Sequence, residues 1–408
     1  MEKPKLRHIE AIPAEANGQR IVYLRDPQNL SGKVLAVSPE TLIILSQFNG
    51  KNSVPEIGQS LSSKFGDLIR NEDIENLVKQ LDEVLFLDSE KYRSYKDRLE
   101  TDFRVSGKRE PSHAGLSYPN SADELSGWFR TFFDKAQETK PYKAPEAKPS
   151  GLISPHIDYR RGGISYALAY RELLDRNEAE TYVIFGTSHY AEVDNPFVLT
   201  RKSFETPFGE TGTDKEVIDT LVDSCNWDLF EGEISHRTEH SIEFQVAMLQ
   251  YVLKGKKDFR IVPILCNSFY ELVNEGKSPM EDERISGFLD TMSDITAQMG
   301  DSVFIIAGAD MAHVGLKFGD KEPVDEPTLE KIKERDIMSL TRSEKLDAEG
   351  FYRSVEEEKD WRKVCGLAPI YATLATIQAD SGVPLDYDQA LEPDTGSVVS
   401  FASMGFYI

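Results

Sequence analysis

Residues 151–176 read GLISPHIDYRRGGISYALAYRELLDR. A short apolar run, Gly151–Ser154, gives way to Pro155 and His156, and a helical spacing of apolar residues follows from Ile164. The same grammar recurs downstream. TYVIFG (181–186) leads into Thr187, Ser188, His189 and Tyr190, and SVFIIAG (302–308) leads into Ala309, Asp310, Met311, Ala312 and His313. RIVPIL (260–265) and VVSFASMGFY (398–407) supply two more strand-like runs. DKEVIDTLVDS (214–224), SIEFQVAMLQYVLK (241–254) and the charged stretch Glu326–Leu340 carry helical patterns between them. The alternation predicts an α/β fold with a central sheet, largely parallel or mixed, flanked by helices. In such sheets ligand-binding groups gather beyond the C-terminal strand ends.

Three predicted strands each deliver one histidine just past their ends: His156, His189 and His313. That repetition brings side chains from distant parts of the chain to one crevice. TEHSIE (238–243) opens a predicted helix, and His240 and Glu243, three residues apart, share a face, so imidazole and carboxylate can reach one site. For Glu243 the competing reading is a favourable contact with the helix N-terminus. HRTEH (236–240) has two histidines four apart but lacks the glutamate of HExxH in its place, which excludes a zincin helix. Cys365 lies in RKVCGLAPIYATLATI, a Cys-Gly turn before an apolar helix, where a helix N-terminus lowers a thiol's pKa and favours the thiolate. Cys225 and Cys266 read as structural.

Residues 1–100 form a separate module by pattern. A hairpin is predicted from Arg20–Leu24 and Lys33–Val37 around the turn DPQNLSG. Ser38 then caps a helix with Pro39 in its first turn, VPEIGQSLSSKFG (54–66) makes a second helix, and a third starts at Asn71 or Asp73 and runs into LFLD. Hairpin, three short helices and an apolar tail suggest a winged helix. Its 14 Lys+Arg against 16 Asp+Glu (14 − 16 = −2) leave no basic face for phosphates, so a peptide or protein partner is expected rather than DNA. The charged run 90–111, and in particular 101–111, reads as a connector, KPYKAPEAKPS (140–150) as an exposed loop, and 112–408 as the second domain.

The whole chain agrees with this division. Its 408 residues suit about two domains. A net charge of −23, from 47 basic and 70 acidic residues, disfavours nucleic acid as a partner. Neither a membrane-spanning apolar run nor a secretory leader is evident at MEKPKLRHIE. With three widely spaced cysteines, this predicts a reduced, cytoplasmic setting and no membrane partner.

Seven segments together resemble the Memo family, protein B of the AmmeMemoRadiSam gene systems: SHAGLSYP (112–119), SPHIDYRRGG (154–163), FGTSHY (185–190), ETPFGE (205–210), TEHSIEFQVAMLQY (238–251), ADMAHVG (309–315) and VCGLAPIY (364–371). The resemblance implies a fold similar to LigB-type class III extradiol dioxygenases, which use non-heme iron. It also implies one metal ion held by residues matching His156, His189 and Cys365. His240 and His313 then match cleft histidines suited to proton transfer, Glu243 or Asp310 would orient an imidazole, and His113 would line the cleft. Two imidazoles and a thiolate suit iron, copper or zinc, and only iron or copper has a redox step. The implied activity is that of a metal-dependent oxidoreductase. The alternative is a non-catalytic role, binding peptide or sequestering metal, and the gene-system name implies a radical SAM partner. Where the family has PHAGY this chain has PHIDY, so Ile157 and Asp158 are expected to narrow the cleft or add negative charge. SPETLIILSQFNGKNSVPEI (38–57), DIENLVKQLDEVLFLD (73–88) and the preceding hairpin resemble PqqD-like, peptide-recognising winged helices.

Overall fold

The computed structural model describes residues 2–16, 18–28, 30–65, 70–142, 146–174, 177–190, 193–253 and 255–408. The chain divides into two compact units, Met1–Val105 and Ser106–Ile408.

In the first unit β1 (Glu10–Ala16), β2 (Gln19–Arg25) and β3 (Val34–Val37) form an antiparallel sheet in that order. Strands β2 and β3 are the expected hairpin, with Val22 opposite Val37 and Arg25 opposite Val34. Strand β1 was not legible, because Pro13 and its alanine and glutamate neighbours carry little strand propensity; an edge position tolerates a proline. Helices α1 (Thr41–Leu45), α2 (Val54–Phe65) and α3 (Asn71–Glu83) follow. Within the expected turn DPQNLSG and helix 54–66, Asn29 and Gly66 lie outside the described residues. The core joins Val22 and Leu24 to Ile57, Leu61, Ile74 and Leu81.

The charged run 90–111 is not a connector for most of its length, because Glu90–Val105 is a helix, α4. Its apolar residues recur at helical spacing beneath the charges. Tyr92, Tyr95 and Leu99 pack with Leu30 and Leu85, and Tyr95 donates to the Leu30 carbonyl at 2.9 Å. Residues Lys108–Arg109 then form a short strand, β4, whose Arg109 is fully buried in the second unit.

The second unit continues with α5 (Ala122–Thr139), β5 (Pro149–Ser154), α6 (Tyr159–Tyr170), β6 (Thr181–Thr187), β7 (Phe197–Leu199), β8 (Ser203–Thr206) and β9 (Gly209–Thr211). Next come α7 (Lys215–Ser224), α8 (His240–Leu253), β10 (Arg260–Cys266), α9 (Tyr270–Glu275), α10 (Glu283–Met299), β11 (Val303–Gly308) and β12 (His313–Gly315). The chain ends in α11 (Glu326–Glu344), α12 (Ala348–Glu356), α13 (Leu367–Thr376), β13 (Ser381–Glu392) and β14 (Ser397–Tyr407). Residues 143–145 of the expected loop 140–150 lie outside the described residues, and its last two residues open β5.

The central sheet runs β12-β14-β5-β11-β6-β10-β7, with β13 on β14. Strands β5, β11, β6 and β10 are parallel, whereas β14, β12, β13 and β7 pair antiparallel, so the sheet is mixed. The parallel strands are largely apolar because both faces are covered. Ile153, Val183, Phe185, Ile264 and Ile305 face one core, and Leu152, Tyr182, Ile184, Leu265 and Ile306 face the other. All four parallel strands end on the same side, where His156, His189 and Asp310 follow. Among the described residues no helix is long and apolar enough to cross a membrane.

Candidate metal centre

The site is assembled where α8 begins against the ends of β6 and β11. Two glycines permit that approach. A Cβ on Gly186 would lie 2.6 Å from the Ser241 hydroxyl oxygen, and one on Gly308 would lie 2.6 Å from the Ser241 carbonyl. Any side chain there would push the start of α8, and His240 with it, away from the strand ends.

His156 is buried after β5. The Asp310 carboxylate accepts from the backbone N–H of His156 (2.9 Å) and of Ile157 (3.2 Å). Its Nδ1 faces the Gly308 carbonyl at 3.0 Å. A carbonyl only accepts, so Nδ1 carries the proton and Nε2 is left with a lone pair. His189 and His240 share a single buried carboxylate. Glu239 Oε1 lies 3.0 Å from His189 Nδ1 and 3.1 Å from His240 Nδ1, and it also accepts from the N–H of His240 at 2.9 Å. Glu239 Oε2 accepts from the N–H of His189 at 2.8 Å. Each imidazole is therefore oriented through Nδ1, the arrangement by which carboxylates and carbonyls set metal-binding histidines.

One ligand atom from each of His156, His189 and His240 lies within 4.8 Å of the others, and this group can hold one metal ion. Even with all three separations at that limit, a central ion would sit about 2.8 Å from each nitrogen. Closure by under about 1 Å then reaches ordinary metal–imidazole bonds of about 2.0–2.1 Å. Cys365 Sγ stands 3.3 Å from His156 Nε2, and Asp310 Oδ2 lies 3.6 Å from the same nitrogen. The His189 and His240 side chains keep 25% and 22% of their exposure, so the cluster is reachable from solvent. A cavity of about 300 Å³ opens beside it, lined by His189 and Cys365 with Ser188, Phe269, Tyr270 and Leu367.

Burial, with His189 and His240 adding like charge, holds His156 well below the ordinary imidazole value. Burial also lowers His240, against the pull of Glu239. For His189 burial is outweighed by Glu239, and its pKa is raised. Burial would raise Glu239 too, but His189 and His240 hold it well below the usual carboxylate range. Burial lifts Asp310 to about 7. The cluster thus offers neutral imidazoles at His156 and His240 over a firmly ionised Glu239.

The structure gathers the expected site residues unevenly. His156 and His189 both stand in the nitrogen group, whereas Cys365, expected as the third ligand, lies beside His156 but outside that group. His240, expected as a proton carrier, stands in the nitrogen group itself. His313 lies outside that group. Its Nδ1 faces the Met311 carbonyl at 3.2 Å, its ring meets Phe318 edge-on at 5.1 Å, and burial with His189 lowers its pKa to about 4.

Glu243 faces away from the imidazole nitrogens. It is ion-paired with Arg109 and accepts from the Tyr118 hydroxyl, from Ser112 Oγ (3.0 Å) and from the N–H groups of Ser112 (3.1 Å) and His113 (3.0 Å). It ties residues 109–118 to α8 and does not orient an imidazole directly. His113 does line the cluster, its ring 5.6 Å from that of His240.

Two further expectations are corrected. Cys365 is not a low-pKa thiol in the metal-free protein: burial and the nearby Asp310 charge raise it well above its ordinary value, outweighing any help from the start of α13. Asp158 adds no free charge to the cleft. It caps α6 by accepting from the Arg160 N–H at 3.1 Å and pairs with Arg161 at 2.6 Å, while Ile157 is buried against Val399 and Phe401.

Glu239 and Arg109 escaped the sequence reading. Glu239 adjoins His240 in the quoted TEH run, and an acid placed there to meet the free N–H groups of a helix start was the available signal. Nothing local marked Arg109, whose partners apart from Ser112 lie about 130 residues away, including the carbonyls of His236 (2.9 Å) and Glu239 (2.8 Å).

The family description "Memo-like protein" matches residues 109–405. A MEMO1 family protein of Aquifex aeolicus is 28% identical over 99% of this chain and 100% of its own length. MEMO1 family proteins of Methanosarcina acetivorans (28% identical) and Caldivirga maquilingensis (29%) match 72% and 73% of this chain and 98% and 99% of their own lengths. The two archaeal proteins thus lack counterparts to about a quarter of this chain.

Proposed function

The chain belongs to the Memo-like protein family, and from that premise we propose that it is a metal-dependent oxidoreductase working at the His156–His189–His240 cluster. The observation that carries the reading is that three imidazoles, each oriented through Nδ1 by a carbonyl or carboxylate, bring one ligand nitrogen each within 4.8 Å of the others beside a solvent-reached cavity. His156, His189 and His240 would hold the ion, with Cys365 beside His156 as a sulfur donor. Iron or copper would supply there a redox-active Lewis acid with a position left for a substrate or oxygen, and zinc would supply the Lewis acid alone.

The chain's own residues have definable tasks. Glu239 fixes the rings of His189 and His240 and balances their charge. Cys365 gives up its proton when it acts as a ligand. Asp310, at about 7, is poised to exchange a proton near neutral pH. His313, held neutral by burial, is the relay toward solvent. Phe269, Tyr270 and Leu367 give the cavity an apolar wall suited to an apolar or aromatic portion of a substrate.

The test is elemental analysis of full-length protein purified with and without oxygen, followed by oxygen uptake on iron- and copper-loaded samples. One ion per chain, lost in His189→Ala, with uptake above that of free metal, supports the reading. An ion bound without any uptake favours metal sequestration instead.

For residues 1–105 we propose peptide docking by strand addition. Strand β3 is an edge of its sheet, and Val34 is 56% exposed, so an extended peptide has unpaired backbone and an apolar side chain to meet. Fluorescence titration of full-length protein with labelled peptides, against duplex DNA at physiological salt, tests this. Peptide binding lost in Val34→Pro supports it, and salt-sensitive DNA binding contradicts it. A radical SAM partner rests on the family's gene association.

A further inference from the structure

Residues 358–366, which carry Cys365 to the cluster, hold a strained backbone around one fully buried guanidinium. Lys359, Asp360 and Lys363 all have left-handed φ, at 55°, 47° and 52°. For residues with a Cβ such conformations are strained, so surrounding contacts must enforce them. Arg362, between them, pairs with Asp336 on α11 and with Glu358, and reaches Ser339 Oγ at 3.1 Å. Asp336 also accepts from the hydroxyls of Tyr387 on β13 (2.9 Å) and Ser400 on β14 (2.5 Å).

The same web grips the neighbouring loop. Ser400 accepts the N–H of Met311 on its carbonyl (2.8 Å) and that of Ala312 on its hydroxyl (2.8 Å). The Arg362 carbonyl accepts from the N–H of His313 at 2.7 Å, and Gly366 donates to the Asp310 carbonyl at 3.0 Å. One buried cation therefore stands between the loop bearing Cys365 and the loop bearing Asp310 and His313.

We infer that Arg362, anchored by Asp336, is a positioning residue that places the Cys365 thiol beside His156 by holding residues 358–366 in their strained form. The inference rests on the metal-centre reading only for what the thiol does there; the placement is a property of the metal-free chain. Lysine cannot replace Arg362, since one ammonium cannot span Asp336, Glu358 and Ser339 with a fixed fork.

The experiment is iodoacetamide labelling of chelator-treated, full-length protein, with the rate at each cysteine read by peptide mass spectrometry. Cys266 is buried in β10 and reports global unfolding. Arg362→Lys is expected to raise the Cys365 rate by about tenfold or more while Cys266 stays protected, as local opening of one loop does. Tyr387→Phe, which removes one donor to Asp336, gives a smaller rise in the same direction and carries the test if Arg362→Lys does not fold. In a variant that folds, an unchanged Cys365 rate, or Cys365 and Cys266 rising together, overturns the inference.

Cobalt(II) loading separates this from the metal reading. A thiolate-to-cobalt absorption in the unmutated protein that fades in Arg362→Lys supports both. Selective labelling with no such absorption in the unmutated protein keeps Arg362 as the positioning residue and removes Cys365 from the ligands.

Discussion

Arg109 and Arg362 are both fully buried beside a buried carboxylate, yet they brace different halves of the same site. Arg109 donates to the carbonyls of His236 and Glu239, and its partner Glu243 gathers the Ser112–Tyr118 segment, so this pair sets the backbone from which Glu239 and His240 project. Arg362 works through Asp336, Glu358 and Ser339 on the loops of Cys365 and His313. Every group in the two pairs is answered by a partner inside the chain, whereas the three imidazoles between them bring one nitrogen each within 4.8 Å of the others. The contrast teaches that the buried charges here build a frame, and that the function lies where the frame gathers imidazoles that can share one ion.

Removing one member of a buried ion pair strands the other. Arg109→Ala leaves Glu243 unpaired and is expected to cost about 3–5 kcal/mol of stability, read as a lower urea midpoint. A loss under about 1 kcal/mol would break the comparison, because a surface-like pair could not serve as a frame. Glu239→Gln sharpens the other side of it. The amide cannot accept from both imidazoles as the carboxylate does, and metal affinity should fall about 10–100-fold in a competition titration with a chromophoric chelator, with the urea midpoint changed much less. Asp158→Ala belongs to neither half. Loss of the α6 cap should lower stability by about 1 kcal/mol and leave metal stoichiometry unchanged.

The smallest effect is a difference in sign with pH. Burial would raise Glu243, but Arg109 and its other donors hold it below its unfolded value, so its stabilisation is complete above that value and is lost as pH falls through the folded pKa. Burial raises Asp336 despite Arg362, so ionising it works against the fold as pH rises through its folded pKa, a cost absent below its unfolded value of about 3.9. In urea midpoints taken across the acid range, Glu243→Gln should flatten the loss on acidification and Asp336→Asn should steepen it. Slopes that move together would contradict the distinction.

The sequence made the mixed α/β sheet legible because the parallel strands are buried on both faces and read as apolar runs, three of them followed by histidine or aspartate. The strand-end histidines His156 and His189 were found by that rule. His240 was found too, but its grouping with them depends on how closely α8 approaches Gly186 and Gly308, which only the packed structure shows. Glu243 looked functional for the same reason that Glu239 was missed: helical spacing reports a shared face, not which acid turns toward the strand ends. Helix α4 was hidden because its charges outnumber the apolar residues that pack it.

The central claim is that the three imidazoles of His156, His189 and His240 close on one ion. X-ray absorption at the zinc edge, on full-length protein loaded with one equivalent of zinc, tests it most directly. The account predicts three nitrogen scatterers at about 2.0–2.1 Å and one sulfur at about 2.3 Å, with a nitrogen lost in His240→Ala. A shell of oxygen donors alone, or a spectrum unchanged by His240→Ala, would contradict it.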